Sequence, residues 1–227
     1  MDFKILPIHP EGWRFTAIFF ILSMIFMALS KPLGCIGLIL TAWCIYFFRN
    51  PSRVTPIGES LLVSPADGRV CLIQKVTPPA SLDLGEDELT RVSVFLNVFD
   101  VHVNRVPLSG KVHKVLYHPG QFVNASFDKA SDLNERNTVI LDTTSGHRIG
   151  FIQIAGLIAR RIRCDIQEGD AITKGACYGL IRFGSRMDIY LPKDVNPLVC
   201  IGQRMIAGET VVADFSRTYD PMDGYKN

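Results

Sequence analysis

Gly184-Ser185 is the one Gly-Ser dipeptide in the chain, and apolar, strand-like runs flank it closely, Leu180-Ile181 before and Met187 to Leu191 after. The hydroxyl of Ser185 lies one residue from the carbonyl of Gly184. A glycine at that place can take backbone angles closed to other residues and leaves its carbonyl open to attack. The chemistry within reach is intramolecular: Ser185 Oγ adds to the Gly184 carbonyl and exchanges a peptide for an ester. A Gly-Ser pair is also an ordinary turn, so its setting has to carry the reading.

Other chemistries lack their residues. The chain has no G-x-S-x-G elbow, P-loop, H-E-x-x-H or dinucleotide fingerprint. His9, His102, His113, His118 and His147 form no H-x-H pair, which weakens a zinc-peptidase reading. The six cysteines are scattered without a C-x-x-C pair, so they read as small buried hydrophobes in a reducing compartment. A net charge of +2 without a Lys/Arg cluster argues against nucleic acid. Lys174 sits at an expected hairpin tip, where a lipoyl or biotinyl carrier presents its modified lysine. Its neighbours Thr173 and Gly175 give that reading no support.

The elements that must position Ser185 divide the chain in two. A length of 227 residues suits one catalytic domain with a small appendage. The mean hydropathy is positive, at +0.21, and the excess sits in the first fifty residues. Phe15 to Ser30 and Leu33 to Phe48 are uncharged runs separated by the turn signal Lys31-Pro32. Each predicts a helix about 24 Å long, slightly short of a full membrane span. Residues 1–50 are therefore expected to form an apolar helical hairpin that spans or dips into a bilayer. Trp13, Trp43 and Tyr46 lie near the hairpin ends as interface aromatics do, and Lys4, Arg14, Arg49 and Arg53 flank its outer ends against Lys31 at the turn. That bias puts the following domain on the cytoplasmic side of the cell membrane.

Residues 51–227 read differently. Short apolar runs alternate with Gly, Pro and Asp every eight to twelve residues, as at Leu61-Val63, Val70-Val76, Val92-Val98, Lys111-Tyr117, Thr138-Asp142, Arg148-Ala155 and Met187-Leu191. A helix is weakly indicated around Phe127 to Asn134. Gly169 to Gly175 and Gly202 to Gly208 both read G-x-x-Ile/Met-x-x-G, a pattern suited to strand-turn-strand corners. The expected fold is mainly β, a compact β-barrel or sandwich behind an N-terminal apolar helical hairpin.

The stretch around Gly184-Ser185 resembles the self-cleavage site of the phosphatidylserine decarboxylase proenzymes, where a Gly-Ser bond lies about forty residues from the C-terminus. Here 43 residues follow Gly184. Phe47-Phe48-Arg49-Asn50-Pro51 looks like the segment that follows the family's membrane region. Ser64-Pro65-Ala66-Asp67-Gly68 matches its P-A-D-G motif, Phe99 to Pro107 its D-x-H region, and Asn134-Glu135-Arg136 its N-E-R. Four motifs in the correct order, over residues 47 to 215, make the resemblance specific. Long-form members carry a second histidine three residues after the first; here that place is Arg105, and the sequence resembles the short form.

The resemblance implies a mechanism. Ser185 attacks the Gly184 carbonyl, a base removes the serine α-proton, and elimination gives dehydroalanine, which hydrolyses to a pyruvoyl group and ammonia. The covalent cofactor is thus made from Ser185, and the fragments 1–184 and 185–227 stay together as a heterodimer. The ketone then forms a Schiff base with phosphatidylserine and serves as electron sink during its decarboxylation to phosphatidylethanolamine. By the same resemblance Asp67 and Ser185 act in processing with a histidine, a part for which His102 is the leading candidate, and His102 is also the candidate acid that reprotonates the carbon. Arg105, Arg136 and Arg186 are candidates for the lipid phosphate or the departing carboxylate, each also readable as an ordinary surface arginine. No metal is expected. Decarboxylation of another serine-headed lipid, such as archaetidylserine, and a non-enzymatic membrane-anchored β-sandwich adaptor or carrier are the alternatives.

Overall fold

The computed structural model describes residues 7–121, 133–157, 161–182 and 184–224. Its first elements are helices α1 (Pro10–Leu29) and α2 (Lys31–Phe47). Helix α1 begins five residues earlier than the uncharged run does. Pro10 is preset for a first helical turn, and the His9 Nδ1 accepts the Glu11 N–H at 3.3 Å. Twenty residues give α1 about 30 Å, a full span rather than a short one. It is apolar and long enough to cross a membrane.

Small residues let the two helices approach. A Cβ on Gly12 would meet the Phe48 side chain at 2.4 Å, and one on Gly34 would meet the Met27 backbone at 2.5 Å. Between them Ser23 Oγ and Thr41 Oγ1 share a buried hydrogen bond of 3.3 Å. The outer surface is left apolar, with Phe20, Ile21 and Ile39 exposed.

The remaining chain is mainly β. Its strands are β1 (Leu61–Val63), β2 (Gly68–Val76), β3 (Leu89–Leu96), β4 (Val103–Arg105), β5 (Gly110–His118), β6 (Arg136–Thr143), β7 (Arg148–Ala155), β8 (Ile162–Cys164), β9 (Ala171–Ile172), β10 (Cys177–Ile181), β11 (Ser185–Tyr190), β12 (Arg204–Met205) and β13 (Val211–Asp214). All seven expected strands are present. The expected helix falls, apart from Leu133 and Asn134, outside the described residues.

Eight strands form one curled sheet in the order β12-β2-β3-β11-β7-β6-β5-β9. The order has two equivalent halves, related about the β11–β7 seam. Strand β2 follows Pro65-Ala66-Asp67-Gly68, and β5 follows Pro107-Leu108-Ser109-Gly110. Each strand shifts register at its third to fifth residue, at Val70/Leu72 and Val112/Lys114. Gly202 N donates to Val70 O at 2.8 Å, and Gly169 N to Val112 O at 2.9 Å. The paired glycines have matching left-handed backbones, φ +91° and +88° at Gly169 and Gly202, +80° and +78° at Gly175 and Gly208. The repeated G-x-x-Ile/Met-x-x-G is therefore the visible remnant of a two-fold fold.

One half comprises β4 to β7, β9 and β10. The other is split: β1 to β3 precede the insert, and β11 to β13 follow it. Sheets β1-β13 and β4-β10-β8 are the corresponding flanks. Gly184-Ser185 lies where the chain returns from the inserted half to the first. Strand β11 is then held on both sides, Ser185 opposite Leu96 of β3 and Ala155 of β7.

Alternation in β11 sends its side chains to two faces. Met187 and Ile189 enter the main core with Val92, Val94, Leu141, Ile149 and Phe151. Tyr190 joins a second cluster with Leu82, Leu89, Ile140, Ile152 and Ile154.

Candidate active site

Ser185 opens β11 and shares the main-core face with Met187. It is wholly buried, and its Oγ has no hydrogen-bond partner among the described residues. An orphaned buried hydroxyl costs about 1–3 kcal/mol and asks for a reason. Gly184 before it has φ +55°, in the left-handed region that favours glycine, and beyond its chain neighbours none of the described residues lies within 4 Å of where a Cβ would stand. The Gly184–Ser185 bond thus has a rigid strand on one side and a permissive residue on the other.

His102 reaches this end of the sheet from the loop before β4. Its carbonyl accepts Ile181 N at 3.3 Å, which ties it to the strand leading toward Gly184. The ring is buried and lies 4.3 Å from the Phe47 ring at the foot of the hairpin. Its Nδ1 stands 3.0 Å from Asp100 O. A carbonyl can only accept, so Nδ1 carries the hydrogen and Nε2 presents a lone pair. Nε2 is buried without a partner among the described residues. Burial pushes the imidazole down to about 4, partly offset by the bond to Asp100. It is a neutral base at neutral pH.

Asp67 lies just before β2, two strands from Ser185 at the same end of the sheet, about 10 Å by strand spacing. Its Oδ1 accepts Ala207 N at 2.8 Å, and Arg53 Nη2 donates to both oxygens at 2.9 and 2.8 Å. Burial raises its carboxyl above the usual range, against the pull of Ala207 N–H and Arg53. Among the described residues no hydrogen bond joins it to His102 or Ser185.

The three arginines stand apart from Ser185. Arg105 donates to Gly175 O at 2.8 Å and to Asn50 Oδ1 and Pro51 O at 2.9 Å, which fastens the segment after the hairpin to the β domain. Arg186 is not a surface residue. It is wholly buried on the face opposite Ser185, with Nε 2.8 Å from Asp188 Oδ1. Arg136 faces the same way, since both are registered against Ile154.

Several site residues were hidden in the sequence. Glu11 of α1 forms ion pairs with Arg163 and with Arg182, two residues before Gly184. Phe47 walls His102, although only its membership of a motif was readable. Asn104, Gln153 and Asn137 form a buried chain of amides on the core side: Asn137 Nδ2 to Gln153 Oε1 at 3.0 Å, and Gln153 Nε2 to Asn104 Oδ1 at 2.9 Å. Among the described residues no His/Cys/Asp/Glu group could hold a metal ion.

Residues 40–213 match the phosphatidylserine decarboxylase family. The chain is 54% identical over 215 residues to the phosphatidylserine decarboxylase proenzyme of Rickettsia bellii, covering 95% of this chain and 92% of that protein. The Rickettsia akari proenzyme gives the same figures. That of Cereibacter sphaeroides is 54% identical over 214 residues, 94% of this chain and 92% of its own. Joined to a mainly β domain behind an apolar hairpin, these matches define an enzyme of the decarboxylase class. More narrowly, the chain belongs to the phosphatidylserine decarboxylase family.

Proposed function

We propose that the protein decarboxylates phosphatidylserine to phosphatidylethanolamine with a pyruvoyl group made from Ser185, after cutting its own Gly184–Ser185 bond. The observation that carries the reading is the wholly buried, partnerless Ser185 Oγ beside a left-handed Gly184. This setting fits the group. The hydroxyl has no competing hydrogen bond, and burial keeps water from an ester before elimination. The relatives described above are all phosphatidylserine decarboxylase proenzymes, which supports the substrate.

At position 185 a pyruvoyl group would supply a carbonyl for the substrate amine and an electron sink for the loss of carbon dioxide. The chain's other residues handle protons and position. His102 Nε2 accepts a proton and, having gained it, is the acid that returns one to carbon. Phe47 keeps water from the ring. Asp67 is assigned to processing with His102 and Ser185. Two-sided pairing of β11 keeps residues 185–227 attached after the cut, as a heterodimer with residues 1–184. The chain is read as a hairpin unit of residues 1–50 and a decarboxylase domain of residues 51–227, a division that the apolar helices and the sheet support. The hairpin holds the β domain against the cytoplasmic face of the cell membrane, where a two-chain substrate resides.

The test is the mass of the purified chain. Two fragments of 184 and 43 residues are expected, the smaller blocked by a ketone. Ser185→Ala should give a single intact chain without activity, and a processed Ser185→Ala protein sinks the proposal.

A further inference from the structure

Ser185 Oγ, His102 Nε2 and Asn104 Nδ2 are buried polar atoms that lack a partner among the described residues. The first two have roles above. Asn104 is wholly buried and has none. A core amide with an idle N–H is unfavourable by about 1–3 kcal/mol, so its orientation needs a cause.

The cause is a one-way chain of hydrogen bonds. Gln153 Nε2 lies 3.3 Å from Arg163 O, a backbone carbonyl that can only accept. That fixes the Gln153 amide, with nitrogen toward Arg163 O and Asn104, and oxygen toward Asn137 Nδ2. Asn104 must then turn its oxygen to Gln153, at 2.9 Å. Its Nδ2 is left pointing elsewhere, as a donor oriented before any reaction.

Register places that donor on the side of the sheet that Ser185 faces. Gln153 is registered against Met187, and Ala155, two residues on, against Ser185. Gln153 and Ser185 are diagonal neighbours on the core face, about 7–8 Å apart at the backbone. Asn104 bridges from β4 onto Gln153.

We propose that Asn104 is a catalytic residue of the self-cleavage, its Nδ2–H donating to the oxygen of the Gly184 carbonyl as that oxygen becomes negative. The inference rests on the self-cleavage reading. When Ser185 Oγ bonds to the Gly184 carbon, the C=O π pair moves to oxygen, and the hydroxyl proton goes to a base. The negative oxygen then re-forms the carbonyl as the C–N bond breaks, and the nitrogen takes up a proton. A preset donor in a water-free site stabilises that oxygen without reorganising, and losing one such donor slows a reaction by about 10²–10³-fold.

The experiment follows cutting, not turnover. Full-length chain is synthesised with a short radioactive pulse in the presence of phospholipid vesicles, and the 43-residue fragment is measured over time. Asn104→Asp keeps the shape but replaces the donor with an acceptor. Gln153→Glu leaves Asn104 intact but offers it only acceptors, which turns its nitrogen away from the cut bond. Both are expected to cut about 10²-fold or more slowly. Thr138→Val changes a buried polar side chain outside the amide chain, on the face of the sheet away from Ser185, and should cut within about threefold of wild type. Wild-type cutting by Asn104→Asp overturns the proposal. So does equal slowing by all three variants, which would mean that core disruption alone is responsible. A wild-type chain that never cuts, with Ser185→Ala alongside, removes the self-cleavage reading itself and this inference with it.

Discussion

Asp67 and Ser109 occupy equivalent places in the two halves of the fold, and each caps the backbone N–H one residue before a left-handed glycine. Ala207 N donates to Asp67 Oδ1 at 2.8 Å, and Lys174 N donates to Ser109 Oγ at 3.0 Å. The cap is a task of the fold, and a hydroxyl performs it in the second half. What the first half adds is a carboxylate, together with Arg53 to partner it.

That relationship separates fold from chemistry at position 67. Asp67→Ser alone keeps the cap but strands the largely buried Arg53, a loss of about 3–5 kcal/mol by the usual effect of breaking a buried pair. Asp67→Ser with Arg53→Met removes both charges and should recover most of that stability in a denaturant melt. The double variant is expected to be folded and uncut on the proposed role of the carboxylate in processing. Cutting at the wild-type rate would reduce Asp67 to a cap and an ion-pair partner.

His102 makes stability depend on pH with a definite sign. Its imidazole sits at about 4 in the folded protein against about 6.5 unfolded, because burial disfavours the charged ring. Between those values the unfolded chain binds more protons, so stability rises with pH. The contribution is complete above about 6.5 and falls away as pH drops toward 4, by about 3 kcal/mol. Asp67, raised by burial, works in the opposite direction at acid pH. Melting temperatures of wild type and His102→Gln in detergent, from pH 4 to 7, should show a shallower slope for the variant. Parallel slopes would mean that the ring is not held neutral.

Much of this arrangement was legible because local chemistry dictated it. Alternating runs gave seven of the strands, and the glycines of the repeated G-x-x-Ile/Met-x-x-G could only be corners. The matching Pro107-Leu-Ser-Gly110 went unread since only Pro and Gly survive from Pro65-Ala-Asp-Gly68. Strands β9 and β12 are two residues long and carry no period to detect. The burial of Arg186 was hidden for another reason: an arginine one residue from a polar loop reads as exposed until its partner Asp188 is seen on the same strand face. Contacts across the fold, such as Glu11 with Arg182 or Phe47 with His102, join residues 171 and 55 positions apart and leave no local pattern.

The hairpin should matter to the site as well as to attachment. Deleting residues 1–48 removes Phe47 from His102 and Glu11 from Arg182. The truncated protein is expected to leave the membrane fraction and also to lose turnover on a short-chain, detergent-dispersed substrate. Phe47→Ala isolates the second effect: it should remain in the membrane fraction, lose about 3–5 kcal/mol of stability, and let the His102 titration move up toward its ordinary value. Full activity of the truncated protein on dispersed substrate would confine the hairpin to anchoring.

His102→Ala separates cutting from turnover. The imidazole is neutral, with its only idle atom an acceptor, so it can serve as base in processing and, once protonated, as acid in decarboxylation. The two tasks differ in how often they are done. Cutting happens once per chain and tolerates slow catalysis, whereas turnover happens many times. Losing a positioned acid–base group lowers a rate by about 10²–10⁴-fold. Such a loss leaves time for slow cutting during overnight expression but is plain in a turnover assay. The expected result for His102→Ala is a pair of fragments, an intact ketone detectable with a hydrazide reagent, and carbon dioxide release reduced by at least about 10²-fold. An uncut chain would assign His102 to processing first. A cut chain with full carbon dioxide release would return His102 to a structural role, held between Asp100 and Phe47.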